Sequence, residues 1–354
     1  MLYRENGQFK TSYRADQQLL PIAQDRWLML GLLAFAYLGL PVLASEFVIR
    51  ALIVPCLILA IAAIGLNILV GYCGQISLGA AAFMGAGAYA AYNLAVRLPG
   101  LNFLVVLVLA GLAAAAVGIA FGVPSLRIKG LYLAVATLAA QFLLDWLFSH
   151  VKWLTHDSPS GSVSTATIEL FGLPLQSPLR KYFLVLTVVC VLALVAKNLV
   201  RSHTGRAWMA IRDMDLAAEV IGIRPLHAKL SAFAVSSFYA GIAGALWGFV
   251  HLGSWEPAAF DIGLSFNLLF MVIIGGMGSI LGSFFGAAFI VLLPLMLNQA
   301  PRWLGIPIST AAQSNLESMI FGSLIVFFLI AEPQGLASLW AKGRQKLRIW
   351  PFPH

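Results

Sequence analysis

Reactive side chains at workable spacing are scarce in this sequence. Cys56, Cys73 and Cys190 sit in or beside apolar runs and share no metal-ligand spacing. They are read as small packing residues, with no disulfide framework. His203 and His227 have no carboxylate partner at ligand spacing, so no metal site is expected. The stretch "GGMGSILGS" (275–283) is glycine-rich but lacks the lysine of a phosphate-binding loop. Its glycines suit a tight turn and close helix contact instead. No catalytic residue is therefore assigned, and the chain is not read as an enzyme.

The remaining chemistry is hydrogen bonding in apolar surroundings. "GLNILVGYCGQISLG" places Asn67, Gln75, Ser77 and Gly79 close together, and Asn267 begins a later apolar run. Amides, hydroxyls and free backbone groups of an interrupted helix can hold a polar solute at membrane depth. The same small residues also allow plain helix packing. Asp145 stands alone in "AAQFLLDWLFSH", one helical turn after Gln141 and on its face. A carboxylate at mid-membrane costs about 2.5–3.5 kcal/mol on insertion scales. Asp145 is read either as reaching the nearby outer interface or as serving an outer vestibule or subunit contact. Glu256 and Asp261, in "GSWEPAAFDIG", are read as outer loop charges or as contacts for an external partner.

These residues must be positioned by helices. The 354 residues are 60% hydrophobic and only 10% charged, whereas an ordinary soluble domain has about 25% charged residues. The apolar runs are continuous, not alternating, which excludes a β-barrel and predicts an all-α polytopic membrane protein. Ten spans are expected, at 27–44, 51–71, 76–96, 103–123, 130–149, 182–200, 230–251, 264–280, 282–298 and 316–331. The third is rich in glycine and is left as either continuous or re-entrant. Residues 1–26 form a polar N-terminal segment, 27–331 the membrane domain, and 332–354 a basic tail. The first 26 residues carry Arg4, Lys10, Arg14 and Arg26 and do not read as a cleavable signal.

Ten spans place both termini on one side. With that side cytoplasmic, 16 of the 22 Lys and Arg residues lie inside, as the positive-inside rule requires. The net charge of +8 is thus a topology signal and does not imply nucleic-acid binding. The external loop 150–181, with "HDSPSGSVSTAT", is expected to be a short ordered cap without chemistry of its own.

One cytoplasmic connector is too elaborate for a connector. Residues 201–229, "RSHTGRAWMAIRDMDLAAEVIGIRPLHAK", hold eight of the 36 charged residues. Thr204 is placed near the cap of one short helix, and Asp215 is expected to cap a second that Gly222 ends. Trp208, Met209, Leu216, Val220 and Ile221 give these helices apolar surface. Helices this short are marginal alone, so they must dock on the bundle, on a partner, or on the headgroup layer.

The segment "GRAWMAIRDMDLAAEVIGI" resembles the cytoplasmic coupling segment of branched-chain amino acid ABC transporter permeases of the LivM type. The resemblance continues in order through "GLNILVGYCGQISLGAAAFMGAGAYAA" (65–91), "KLSAFAVSSFYAGIAGAL" (229–246) and "FNLLFMVIIGGMGSILGSFFGAAFI" (266–290). It covers about residues 50–335. It implies a type II-importer-like permease bundle in the bacterial inner membrane, importing branched-chain or related amino acids, with urea or aromatic acids as alternatives. Two ABC ATP-binding subunits would carry ATP and Mg, this chain binding no cofactor. A second related permease, usually in a heterodimer, and a periplasmic binding protein would complete the system. Gly205, Arg206, Ala210, Arg212, Asp213, Asp215, Ala217, Ala218 and Gly222 match the coupling motif. The rival reading is an ion-driven secondary transporter, which would need intramembrane charges that this chain hardly has. A passive channel or scaffold leaves residues 201–229 unexplained.

Overall fold

The structure, a computed structural model, describes residues 23–125, 132–156, 173–303 and 335–349, with Ser12 and parts of 158–170 and 319–330. Among the described residues, eight helices are long and apolar enough to cross a membrane. They include α1 (Arg26–Leu43) and α2 (Glu46–Tyr72). After the helix α3 (Ala80–Arg97) come α4 (Phe103–Ser125) and α5 (Tyr132–His150). Helix α6 (Pro178–Arg201) leads into two short helices, α7 (His203–Asp213) and α8 (Asp215–Val220). Helix α9 (Pro225–Leu252) crosses next. Helices α10 (Ile262–Gly275) and α11 (Ile280–Trp303) follow. The last described element is α12 (Leu336–Ile349). The expected tenth span at 316–331 lies largely outside the described residues.

The third expected span is corrected by the structure. Residues 73–79 are irregular, and the helix starts only at Ala80. Helix α3 is not among the eight apolar spans, because alanine, glycine, Asn93 and Arg97 dilute it. It needs no greasy surface, since most of its residues are buried by other helices. The other boundaries shift modestly. The sixth span begins at Pro178, the seventh at Pro225, and the eighth ends at Gly275, where Gly276 turns the chain with φ of 118°.

Two prolines reshape the first two spans. Pro41 and Pro55 each follow a π-helical turn, Phe35–Gly39 and Ile49–Ile53. A proline ring clashes with the carbonyl four residues back and supplies no N–H. The wider π turn absorbs that conflict without breaking the helix.

The centre of the bundle is α9, packed on α2, α3 and α4. Contact there is close because glycines face backbone. A Cβ on Gly244 would collide with the main chain of Met84, and one on Gly87 with the main chain of Gly241. Gly244→Val is expected to cost about 1–3 kcal/mol or more through overpacking. The check is the thermal midpoint of the purified protein beside Gly31→Val, whose Cβ has nothing within 4 Å. Equal midpoints would contradict the close approach.

The two ends of the bundle gather the segments that the ten-span topology assigns to each side. At one end the carbonyl of Gly71, the connector 201–229, the turn 276–279 and Gly335 meet. At the other, α3 carries Tyr89, Asn93 and Arg97 one turn apart. Each donates to a carbonyl of the connector after α5: Gly161, Leu154 and Trp153. Arg97 also lies over the Trp153 ring at 3.8 Å. Strand β1 (Val163–Ser164) pairs antiparallel with a strand at Ser254–Trp255. This connector is therefore strapped to the bundle by α3.

Candidate functional site

The connector 201–229 is a structured platform. Ser202 occupies the N-cap of α7, not Thr204, and makes no side-chain cap bond there. Trp208 is 0% exposed and its indole N–H donates to Ser231 Oγ at 2.9 Å. This buried tryptophan roots α7 in the bundle. Gly205 packs on the backbone of Val200, where no side chain fits. Asp215 opens α8 without capping it, because its carboxylate pairs with Lys229 at the base of α9. An ionic partner on another helix outcompetes a local cap bond. Gly222 ends the segment with φ of 90°, a conformation that glycine adopts freely.

Ala218 points inward, while Ala217, Glu219 and Gly222 are exposed. Met214, Leu216, Val220 and Ile221 are also exposed, Val220 at 87%. A short helix thus shows apolar residues outward from an ion-paired, tryptophan-anchored base. Arg206 is exposed and donates to the Arg201 carbonyl at 3.1 Å; Ala210 is half-buried.

Arg212 turns back into the protein. Its Nη1 donates to the carbonyl of Gly71 at 2.9 Å, and its Nε to Asp213 at 3.0 Å. Gly71 lies in the π turn Ile68–Tyr72 that closes α2. Gly74, with φ of 72°, has no room for a side chain without crowding Arg212. The guanidinium therefore ties α7 to the start of the irregular stretch 73–79.

The same end of α2 is latched to the turn between α10 and α11. Asn67 Nδ2 donates to the Ser279 carbonyl (2.8 Å), Ser283 Oγ (3.0 Å) and the Gly276 carbonyl (3.4 Å). Its Oδ1 accepts from the Gly278 N–H at 2.8 Å. Every hydrogen-bonding atom of this buried amide is engaged within the chain. Gly71, Gly74, Ile76, Arg212, Met277 and Ser279 border an open cleft of about 740 Å³ beneath the latch.

The interruption before α3 leaves backbone donors that lipid cannot serve. Side chains from neighbouring helices serve them. Thr137 Oγ1 accepts from the Leu78 N–H and Gln141 Oε1 from the Ala82 N–H, both at 2.9 Å. Ser265 Oγ accepts from the Ala81 N–H at 2.9 Å. Gln141 also donates to the Phe260 carbonyl at 2.8 Å, which joins α5 to the start of α10.

The sequence matches a family model described as a branched-chain amino acid transport system permease component over residues 48–329. The chain belongs to this permease family. It is 32% identical to the high-affinity branched-chain amino acid transport system permease protein LivM of Salmonella typhimurium over 304 residues, 79% of this chain and 68% of that protein. The LivM protein of Escherichia coli shows the same identity and coverage. A probable LivM of Methanocaldococcus jannaschii is 24% identical over 245 residues, 67% of this chain and 69% of that protein. No solved structure matches. The chain is a multi-pass protein of the bacterial inner membrane, as its relatives and its apolar helices indicate.

In this permease the residues singled out for the pathway lie apart, except that the Gly79 N–H donates to Ser77 Oγ at 3.4 Å. Asn67 belongs to the latch. Gly79 packs on the Thr137 carbonyl. Ser77 lines a cavity of about 10 Å³ with Ser236 and Ser237. Gln75 is 3% exposed, and neither side-chain atom has a hydrogen-bond partner. Asn267 is exposed on α10 beside Phe266. Asp145 is half-buried, and Glu256 and Asp261 are exposed; Asp261 caps α10 by accepting from the Leu264 N–H. Sequence reasoning missed Thr137, Ser265, Ser236 and Ser237. The available signal was Thr137 and Gln141 four residues apart, on one helix face.

Proposed function

We propose that this permease is the membrane subunit of an ATP-driven importer of branched-chain amino acids or close relatives. Residues 201–229 are the docking site of ATP-binding subunits, on the cytoplasmic side. A second related permease and a periplasmic binding protein complete the assembly. What supports this reading is the platform itself: α8 shows an apolar row outward, while its base is fastened by Trp208, Lys229 and Arg212. A connector resting on solvent would need neither. The Lys and Arg distribution supports the cytoplasmic placement.

Coupling then follows from the fastenings. Force on α8 reaches α7 through their shared turn. Arg212 carries it to Gly71 and the irregular stretch that holds Gln75. Asn67 carries it on to the α10–α11 turn. Gln75, with no internal partner, keeps its hydrogen-bonding capacity for a passing solute. Asn267 is assigned to the pathway or to the contact with the second permease, since an amide facing lipid at mid-helix is unfavourable. Substrate choice rests largely with the binding protein, and urea or aromatic acids remain the alternative cargoes.

The test is mild-detergent purification of the tagged chain from native membranes, followed by mass spectrometry. ATP-binding subunits and a second permease are expected. A solitary chain that moves solute on an ion gradient without ATP would overturn the reading. The double variant Leu216→Asp, Val220→Asp is expected to reduce recovery of the ATP-binding subunits at least tenfold, as burial of two charges opposes docking by several kcal/mol. The amount of inserted permease should not change.

A further inference from the structure

Helix α12 carries a pattern that neither the coupling platform nor the pathway uses. Leu336, Leu339, Trp340 and Gly343 recur at helical spacing and form one stripe. Lys342 and Lys346, four residues apart, flank the stripe on one side, and Arg344 flanks it on the other. The helix contains no acidic residue. Three of its four cations, Lys342, Arg344 and Lys346, are exposed, and so are Leu339 and Trp340, the latter at 56%.

The depth of α12 is set by two contacts. Gly335, with φ of 72°, abuts the backbone of Gly276, so close that no side chain would fit. Trp340 packs on Phe285 of α11, with ring centroids 6.0 Å apart. Phe285 lies five residues from the start of α11, which is roughly 8 Å along its axis. An interfacial helix buries its apolar face about 5–10 Å into the boundary between headgroups and acyl chains. The two contacts thus seat α12 beside the first two turns of α11, at the end of the bundle.

We infer that α12 is an interfacial helix that binds anionic lipid headgroups of the leaflet on the coupling side. Leu336 packs against the bundle, and the exposed Leu339 and Trp340 of the stripe enter the apolar boundary. Lys342, Arg344 and Lys346 reach phosphate groups from both flanks. Because Gly335 is seated on the turn that Asn67 latches, lipid charge at α12 bears on the same turn that receives the coupling motion. The leaflet assignment rests on the orientation proposed above; the lipid contact does not.

The experiment is hydrogen–deuterium exchange of the full-length permease in vesicles of phosphatidylcholine alone, or of phosphatidylcholine mixed with phosphatidylglycerol. Both leaflets are alike in such vesicles, so the result is independent of orientation. Peptides covering 336–349 are expected to gain protection with phosphatidylglycerol. At about 1 kcal/mol per cation near an anionic surface, three cations set the gain on the order of a hundredfold. Added salt should remove it, and the triple variant Lys342→Gln, Arg344→Gln, Lys346→Gln, which leaves Arg348 as the one remaining cation of the helix, should remove most of it. Equal exchange in the two lipids would overturn the proposal. So would protection that arises only when ATP-binding subunits or a second permease are added, since a protein would then cover the helix. The orientation is read separately, by labelling Lys342→Cys with a membrane-impermeant thiol reagent from either side. Labelling from the outside would refute the orientation alone.

Discussion

Trp208→Ala is expected to release the 201–229 platform while the membrane helices stay assembled. The side chain is fully buried, and its indole N–H is bonded to Ser231 on α9. Truncating a buried tryptophan costs about 3–5 kcal/mol. Helices α7 and α8 have 11 and 6 residues, lengths at which a helix is marginal without tertiary packing. Ile211, also buried, and the Arg212 bond to Gly71 remain, but neither matches the area of the indole. The Arg212–Asp213 pair is largely exposed and contributes little. The Lys229–Asp215 pair holds only the start of α8. In proteoliposomes of the proposed importer, uptake should fall to near background while the purified permease keeps its helical signal. Proteolysis within 201–224 should become fast. Trp208→Phe should keep most of the packing, lose the bond to Ser231 and retain partial uptake. Wild-type uptake and protease resistance in Trp208→Ala would refute the anchoring role.

Asn67→Ala is the second large expectation. One side chain there serves Gly276, Gly278, Ser279 and Ser283. Interhelical polar bonds in membrane proteins average about 0.6 kcal/mol each. Losing the bonds to Gly278, Ser279 and Ser283 therefore costs roughly 2 kcal/mol by that average, more if their partners find no water. Asn67→Asp should be worse. It keeps the acceptor for the Gly278 N–H but sets a carboxylate against two carbonyl oxygens. The informative readout is the ratio of solute moved to ATP hydrolysed, because the latch lies between the platform and the α10–α11 turn. That ratio should drop in Asn67→Ala even where the ATP-binding subunits still dock. Combining it with Arg212→Ala should give less than the sum of the two losses, since both act on the end of α2. An Asn67→Ala protein with an unchanged thermal midpoint and an unchanged ratio would show that the latch carries no force.

The family, the helical class and the existence of a special connector were legible in the sequence. Span existence follows from run length, because a bilayer demands about 20 apolar residues whatever the tertiary contacts. The sidedness proposed above rests on counting Lys and Arg, which is additive along the chain. The connector stood out because its charge density and helix-ending glycine are local signals. The interruption at 73–79 was half visible: its glycines signalled irregular backbone or packing without deciding between them.

Tertiary structure decided what each polar residue does. Asn67 and the turn 276–283 are about 210 residues apart, and no periodicity links them. Thr137, Gln141 and Ser265 looked like ordinary residues of apolar helices until the amides of Leu78, Ala81 and Ala82 needed acceptors. Capping is a local signal and points to Asp215 as a cap, whereas the ion pair that claims it comes from another helix. Arg212 matches the coupling motif by sequence, and only the fold shows that it also donates to the Gly71 carbonyl. Apolar periodicity and charge sidedness are sums over neighbouring residues, so a one-dimensional reading recovers them. A buried hydrogen bond is a meeting of two particular atoms at about 3 Å, and only the packed bundle brings those atoms together.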